Sequence, residues 1–379
     1  MLNAVFSTML ATSVFAFIVS LFLLYFFHPK AIQSGFVDKA DHRKLHQGNI
    51  PLIGGPVIYI AVVSTMFIYS EFIVEALYFV LGSGLLMLLG VIDDKKNLRV
   101  SLRLVSIIGI TVFLYYFVQL RIDSLGDLFS TGVINLDNIS LVFTIIAVIG
   151  AITAFNMVDG LDGLLGCLSI VTFASLSILF AINGQLVMTS ICIAFIASLL
   201  SFLLCNLELL PGNKYKVFMG DSGSFFIGFS VITLLISGSQ ISSNILSQNT
   251  GQAFRPVTAL WVIAMPLMDM AANVIRRLKK GQSPFAADRG HIHHILQRIG
   301  LSDLQVLAFI TFISVFYALI GVVGEIYRVP EWIMLVSFIL TFCVYFYLYL
   351  HSWKVSAFIH HLFRHKVALN EELNEQLKN

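Results

Sequence analysis

Long apolar segments recur along the whole of this chain, and they constrain its fold more than any other feature. A helix needs about 20 apolar residues to cross a bilayer, whereas the strands of a membrane barrel are about half as long and alternate in polarity. The chain is 58% hydrophobic and only 12% charged, too apolar for a water-soluble fold. We predict an all-α integral membrane protein with eleven transmembrane helices, at about residues 4–27, 52–70, 74–92, 103–120, 139–157, 164–182, 186–206, 223–238, 257–275, 305–324 and 331–350.

Lysine and arginine are distributed unevenly between the two sets of loops. Of the 23 such residues, only Arg121, Arg255 and Arg328 lie in loops on the side of the N-terminus. Because cytoplasmic loops carry the excess of positive charge, the N-terminus is predicted to lie outside (periplasmic) and the C-terminus in the cytoplasm. Residues 1–350 are predicted to form one polytopic transmembrane catalytic domain, and residues 351–379 a cytoplasmic or interfacial helical tail.

Every second predicted span is preceded by an unusual polar segment, always on the cytoplasmic side. The outward-facing loops contain nothing comparable. This one-sided distribution predicts that the active site lies in the cytoplasmic loops. The polar segments occupy residues 43–48, 93–96, 156–163, 220–224 and 288–294.

The residue types in these segments indicate phosphate chemistry. Helix N-termini present free N–H groups to anions. Five carboxylates are predicted to lie in the same layer as these helix ends: Asp93, Asp94, Asp159, Asp162 and Asp221. Crowded carboxylates repel one another, so a hard divalent cation such as Mg²⁺ is the natural counter-ion. Carboxylates, Mg²⁺ and basic loop residues together are typical of phosphoryl transfer.

Each segment also has a structural interpretation. The aspartates could cap helices or lie at solvated helix ends, and the histidines 291, 293 and 294 could form a zinc site, although their spacing matches no zinc motif. Asp269 is interpreted as a partner of a neighbouring helix or base rather than a catalytic group. Two other functions remain open. A transporter of a charged solute would place ionisable residues near the bilayer midplane, and a membrane scaffold gives no reason for the aspartates.

The motifs, in their order, resemble the bacterial polyprenyl-phosphate N-acetylhexosamine-1-phosphate transferases. Within that family, the likeness is to the branch that transfers N-acetylglucosamine 1-phosphate to undecaprenyl phosphate. The resemblance covers about residues 35–300 and, through the span layout, nearly the whole chain. It rests on the segments HRKLHQGNIPLIGG, VIDDKKNLR, AFNMVDGLDGLLG, KVFMGDSGS, PLMDMAANVIRRLKKGQSPF and DRGHIHH.

The resemblance implies a role for each motif. Asp221 is implied as the Mg²⁺ ligand, with Mn²⁺ as an alternative ion, and Asp93 and Asp94 as an essential catalytic pair. Asp159 and Asp162 are implied as catalytic residues that shape the metal and nucleotide site together with Asn156. The residues implied to bind substrate are Asn156, Arg289, His291, His293, His294, Arg43 and His46.

The resemblance also implies the reaction and its setting. The enzyme would use UDP-N-acetylglucosamine and undecaprenyl phosphate, release UMP, and begin the synthesis of O-antigen, enterobacterial common antigen or a related polysaccharide. Another UDP-N-acetylhexosamine remains an alternative donor, and direct attack by the lipid phosphate is favoured over a two-step mechanism. The expected location is the bacterial inner membrane, among membrane lipids. A homodimer is compatible with the Phe-rich helices, and no nucleic-acid partner is expected.

Overall fold

The computed structural model describes residues 2–38, 48–69, 73–210, 215–240, 251–284 and 290–351. Three predicted substrate-binding residues, Arg43, His46 and Arg289, lie outside the described residues. The same holds for nearly all of the predicted tail, residues 352–379.

Helices make up most of the described chain, as predicted. Two short strands, β1 (Val37–Asp38) and β2 (Ile50–Pro51), pair antiparallel after the first helix. The helices are α1 (Leu2–Ser34), α2 (Gly54–Tyr69), α3 (Ile73–Lys96), α4 (Val100–Val118), α5 (Ser140–Met157), α6 (Leu164–Ile182), α7 (Leu186–Asn206), α8 (Gly220–Ser239), α9 (Pro256–Val262), α10 (Ala264–Lys279), α11 (Ile292–Arg298), α12 (Asp303–Ile326) and α13 (Glu331–Leu350).

Nine helices in the described part of the chain are long and apolar enough to cross a membrane. Their lengths are consistent with an integral membrane protein, which is the fold class predicted from the sequence. Two of the predicted spans differ. The second corresponds to α2, an apolar helix of only 16 residues, and the ninth is divided between α9 and α10.

The predicted single span at residues 257–275 is wrong as one straight helix. Helices α9 and α10 meet at an angle of 81°, and α9 ends at Val262. Pro266 explains the break, because a proline lacks the N–H that would bond to the carbonyl four residues earlier and its ring clashes with that carbonyl. In the first turn of α10, the same proline is tolerated.

Helix α8 forms the centre of the bundle. It is buried along its whole length, and it packs against α2, α3 and α5. Helices at the periphery instead expose large apolar side chains, for example Phe117 on α4 and Phe312 on α12, each 70% exposed. In a water-soluble protein such side chains would be buried, and their exposure on the outside of the bundle is typical of surfaces that face lipid.

Candidate active site

The N-terminus of α8 is capped by a carboxylate from another helix. Asp94, in the last turn of α3, accepts hydrogen bonds from Asp221 N (2.7 Å) and Ser222 N (3.2 Å). These N–H groups have no partner within α8, because the first turn of a helix leaves its donors free. The contact joins the Asp93-Asp94 and Gly220-Asp221 motifs, as expected for residues of one site.

Gly220 makes this contact possible. Its φ is +73°, and a Cβ at this position would lie 2.7 Å from Asp94 Oδ2. Glycine adopts a positive φ without penalty and leaves room for the carboxylate. The sequence MGDSG therefore reflects the close approach of α3 to the start of α8.

Asn156 holds Asp221 from a third helix. In the last turn of α5, its Nδ2 donates to Asp221 Oδ1 (2.7 Å) and to Ser224 Oγ (2.8 Å). Asp221 is thus oriented by a side-chain amide while its own backbone N–H binds Asp94. Three motifs that are far apart in the sequence meet around this carboxylate.

Asp93 makes different contacts from its neighbour Asp94. Its side chain is 2% exposed, accepts a hydrogen bond from Leu98 N (2.8 Å) and pairs with Arg103 Nη1 at 2.9 Å. Leu98 lies in the connection from α3 to α4, and Arg103 lies in the first turn of α4. A catalytic role for Asp93 remains a prediction, whereas its described contacts organise this connection.

Asp159 and Asp162 follow α5 in one turn but differ in their electrostatic surroundings. Lys216 Nζ lies 2.8 Å from Asp162 Oδ2 and 2.8 Å from Glu208 Oε1, so Asp162 has a cationic partner. Asp159 itself is an exposed residue. Even so, loss of hydration among the surrounding protein atoms, followed by the charges of Asp221, Asp94 and Asp162, raises the pKa of Asp159 to about 8.

The donor set fits a hard cation better than a transition metal. Among the described residues, no three histidine, cysteine or acidic side chains are grouped to enclose a metal ion. Asp221, Asp159 and Asp94 nevertheless bring negative charges together. Mg²⁺ typically binds one or two carboxylates and takes its other ligands from water and substrate phosphate, which this arrangement allows.

The histidine segment lies against the turn that carries Asp159. A Cβ placed on Gly160 would lie 2.6 Å from His293 Nε2, so the two motifs are in contact. His291 is 6% exposed and its Nδ1 lies 2.8 Å from Asp269 Oδ2. His294 Nδ1 lies 3.2 Å from Gln297 Oε1. The structure thus places His293 against the turn that carries Asp159.

His293 is a buried polar side chain with unused hydrogen-bonding capacity. It is 1% exposed, and neither ring nitrogen has a hydrogen-bond partner among the residues that the structure describes. Burial, then the charges of His294 and His291, lower the pKa of His293 to about 3. The ring is therefore neutral at physiological pH. Buried polar groups are normally hydrogen-bonded, so these two ring nitrogens are an exception among the described residues.

The polar face of α10 was underestimated by the sequence analysis. Asp269 and Asn273 are 0% exposed and Arg277 is 2% exposed, and Arg277 Nη1 donates to Pro284 O (2.6 Å). The spacing of these three residues by four positions places them on one helix face and could have revealed the buried face.

Comparison with known proteins agrees with the motifs. The family described as glycosyl transferase family 4 matches residues 76–239, a range that includes the aspartates and Asn156 but ends before the histidine segment. The undecaprenyl-phosphate alpha-N-acetylglucosaminyl 1-phosphate transferase of Escherichia coli (strain K12) is 40% identical over 344 residues, covering 90% of this chain and 91% of that protein.

Two further relatives carry the same name. The protein of Yersinia pestis is 41% identical over 355 residues, covering 93% of this chain and 94% of its own length. That of Haemophilus influenzae (strain Rd) is 38% identical over 360 residues, covering 95% of this chain and 99% of its own. The similarity therefore extends well beyond the range of the family match, over nearly the full length of both chains.

Proposed function

Because this chain belongs to glycosyl transferase family 4, we propose that it transfers N-acetylglucosamine 1-phosphate from UDP-N-acetylglucosamine to undecaprenyl phosphate. The products are undecaprenyl-pyrophosphoryl-N-acetylglucosamine and UMP. The transferred group and the lipid acceptor are those in the name of relatives that match more than nine-tenths of their own length. A different UDP-N-acetylhexosamine donor is the alternative within the same chemistry.

The observation that carries the proposal is the meeting of Asp94, Asn156 and Asp221 at one end of the bundle. Asn156 holds Asp221, and the first N–H groups of α8 hold Asp94, in fixed positions. Asp159 is close enough for both of these charges to raise its pKa. A transporter has no need for such a cluster at the helix ends. A site for a cation and a pyrophosphate does need it.

Asp221 and Asp159 are the proposed ligands of Mg²⁺, with Mn²⁺ as the alternative ion. When bound, the cation supplies charge neutralisation on the pyrophosphate. The protein's own contribution is to orient Asp221 through Asn156 and to keep Asp159 free of a lysine partner among the described residues, in contrast to Asp162 with Lys216.

In the proposed reaction, an oxygen of the lipid phosphate attacks the β-phosphorus of the donor. A bond from this oxygen to the β-phosphorus forms as the bond from the β-phosphorus to the bridging oxygen breaks, and UMP leaves. Both Asp94 oxygens accept backbone hydrogen bonds and Asp93 is paired with Arg103. We therefore assign the pair to positioning, since an anionic phosphate needs little activation by a base.

The histidine segment is the proposed binding site for the donor. His293 offers two unused ring nitrogens beside Gly160, and His291 and His294 flank it. Together with Arg289, Arg43 and His46, which lie outside the described residues, they would bind the phosphates and the sugar. Positive and neutral donors around a pyrophosphate stabilise the charge that develops as the nucleotide leaves.

The proposed topology places this site at the cytoplasmic face of the bacterial inner membrane. Counting α2 and the bent α9–α10 pair as spans gives eleven crossings, with the N-terminus periplasmic and the C-terminus cytoplasmic. The C-terminal ends of α3 and α5 and the N-terminal end of α8 then lie on one side, as their contacts require. The lipid-facing helices leave room for a homodimer.

The test is a transfer assay with purified protein in detergent, undecaprenyl phosphate, Mg²⁺ and UDP-N-acetylglucosamine labelled in the sugar. We expect label in the lipid phase, release of UMP, and loss of both on addition of EDTA. Release of UDP would mean ordinary glycosyl transfer and would overturn the mechanism. If no label enters the lipid with this donor or with other UDP-N-acetylhexosamines, transport of a charged solute becomes the better interpretation.

A further inference from the structure

Asp269 is a fully buried carboxylate at the centre of a polar network between α10, α11 and α13. Its Oδ1 accepts hydrogen bonds from Ile292 N (3.0 Å) and Tyr345 Oη (2.9 Å), and its Oδ2 lies 2.8 Å from His291 Nδ1. A buried charge is costly unless it is paired and hydrogen-bonded. These donors satisfy it, and all of them come from outside α10.

The network determines which nitrogen of His291 carries a proton. A carboxylate can only accept, so Nδ1 must be the N–H that bonds to Asp269 Oδ2. Asn273 Nδ2 also lies 3.0 Å from Nδ1 and uses one of its two N–H groups for Asp269 O (3.1 Å). The Asp269 carboxylate is the stronger partner because it is charged, so it decides the position of the proton. His291 is thus held with Nδ1–H toward Asp269, and Nε2 is the nitrogen left for a ligand.

The same contacts place the histidine segment against the aspartate turn. Ile292 N is the first donor of α11, so Asp269 also fixes where this helix begins. The rings of His291 and His293 are stacked, with centroids 5.8 Å apart, and His293 lies against Gly160. A shift of Asp269 would therefore move both histidines relative to Asp159.

We propose that Asp269 is a positioning residue for the sugar-nucleotide donor, which acts by fixing the orientation and tautomer of His291. The inference rests on the proposed function and adds a residue that does not itself touch substrate. Carboxylates that orient a functional histidine in this way are worth on the order of 10- to 10⁴-fold in activity. Tyr345, from helix α13, and the backbone N–H of Ile292 keep the carboxylate in place.

The experiment compares Asp269→Asn in two backgrounds, wild type and His291→Ala. The amide keeps the size and the acceptor for Ile292 and Tyr345, but its NH₂ group faces Nδ1 and forces the proton to Nε2. We expect kcat/KM for UDP-N-acetylglucosamine to fall on the order of 100-fold, with KM for undecaprenyl phosphate unchanged. In the His291→Ala background, measured by single turnover with labelled donor, the same change should have no further effect.

Glu325→Gln is the matched control. Glu325 is a carboxylate at the far end of α12, 4% exposed, and it accepts hydrogen bonds from Arg255 and Thr258. Its replacement also introduces a buried amide, but it should leave kcat/KM for the donor within about twofold. Tyr345→Phe retains the Asp269 charge but removes the hydrogen bond from Tyr345 Oη that holds the carboxylate. We expect kcat/KM for the donor to fall about three- to tenfold, and this loss should be absent when His291 is alanine.

The outcomes separate this inference from the proposed function. An inactive wild-type enzyme with every UDP-N-acetylhexosamine would overturn both. If the wild type is active, equal losses from Asp269→Asn in the two backgrounds would show a merely structural role, and activity within twofold of wild type would show no role. If Asp269→Asn does not fold, Tyr345→Phe decides by the same comparison.

Discussion

The two ends of α8 differ in whether the buried or clustered carboxylates near them have basic partners. At the N-terminal end lies the aspartate end, defined by Asp94, Asp159 and Asp221, where no described basic side chain is paired with Asp159 or Asp221. The C-terminal end of α8 lies about 30 Å away along the helix, where Ala253 N donates a hydrogen bond to Gly238 O. The segment that follows Ala253 contains Arg255, which belongs to a second charge cluster, here called the paired end. There Glu325 binds both Arg255 (3.0 Å) and Arg328 (3.1 Å).

This difference separates a stabilising charge cluster from one that is prepared for ligands. Glu325 is neutralised by the protein itself, so the paired end needs no ligand. At the aspartate end the carboxylates repel one another, and no basic side chain among the described residues is paired with Asp159 or Asp221 to offset that repulsion. Such local conflicts are expected at functional sites.

Asp221→Asn should have the largest effect. The substitution keeps the acceptor for Asn156 Nδ2 but removes the charge, so we expect at least a roughly 10³-fold loss of lipid-linked product with normal membrane insertion. The transfer assay measures it, and size-exclusion profiles in detergent check the fold. Turnover near the wild-type rate would remove Asp221 as the metal ligand and erase the contrast between the two ends.

Gly220→Ala should lower activity about ten- to 100-fold, because its Cβ would press against Asp94 Oδ2 in addition to straining the backbone. Gly184→Ala is the matched control, since Gly184 has a φ of +71° and no atom within 4 Å of a Cβ placed there. Both variants carry the backbone strain, but only one displaces the carboxylate. Equal activity in the two would show that the fit at Asp94 is unimportant.

The elevated pKa of Asp159 predicts how Mg²⁺ binding depends on pH. With a folded pKa of about 8, far above the unfolded value, the native state binds more protons than the unfolded state between about pH 4 and 8. Without Mg²⁺, stability should therefore fall as the pH rises through this window. Since the cation requires the ionised form, its apparent affinity should rise about 50-fold from pH 6 to 8, as the ionised fraction of Asp159 does.

Melting curves in detergent at about pH 6 and about pH 8.5, with and without Mg²⁺, measure this effect. Stabilisation by Mg²⁺ should be larger at the higher pH. Asp159→Asn should remove most of the difference. A pH-independent Mg²⁺ effect in the wild type would mean that Asp159 does not bind the ion.

Glu325→Gln should have the smallest effect on catalysis and a clear effect on stability. It removes the negative charge that is paired with Arg255, which costs about 3 kcal/mol, while the aspartate end is unchanged. The melting temperature should fall and kcat should stay within about twofold. A large loss of kcat without a loss of stability would mean that the two ends are coupled through α8.

Adjacent residues show where inference from sequence reached its limit. The pair Asp93-Asp94 was recognised as a motif, but neighbouring positions on a helix point about 100° apart. Only the packing of α3 against α8 decided that Asp94 caps α8 whereas Asp93 pairs with Arg103. Likewise, the interpretation of Asp269 as a partner of a neighbouring helix or base is confirmed, but its link to His291 spans 22 residues and could not be read from spacing.

The sequence by itself determined the kind of protein this is. Apolar length sets the number of candidate spans, because the bilayer imposes a nearly constant thickness, and the polar motifs identify the chemistry at the helix ends. Tertiary structure alone decided the bend at Pro266, the division of labour between the aspartates and the burial of Arg277. These depend on how helices rotate and approach one another, and that is a property of many distant contacts together rather than of any local pattern.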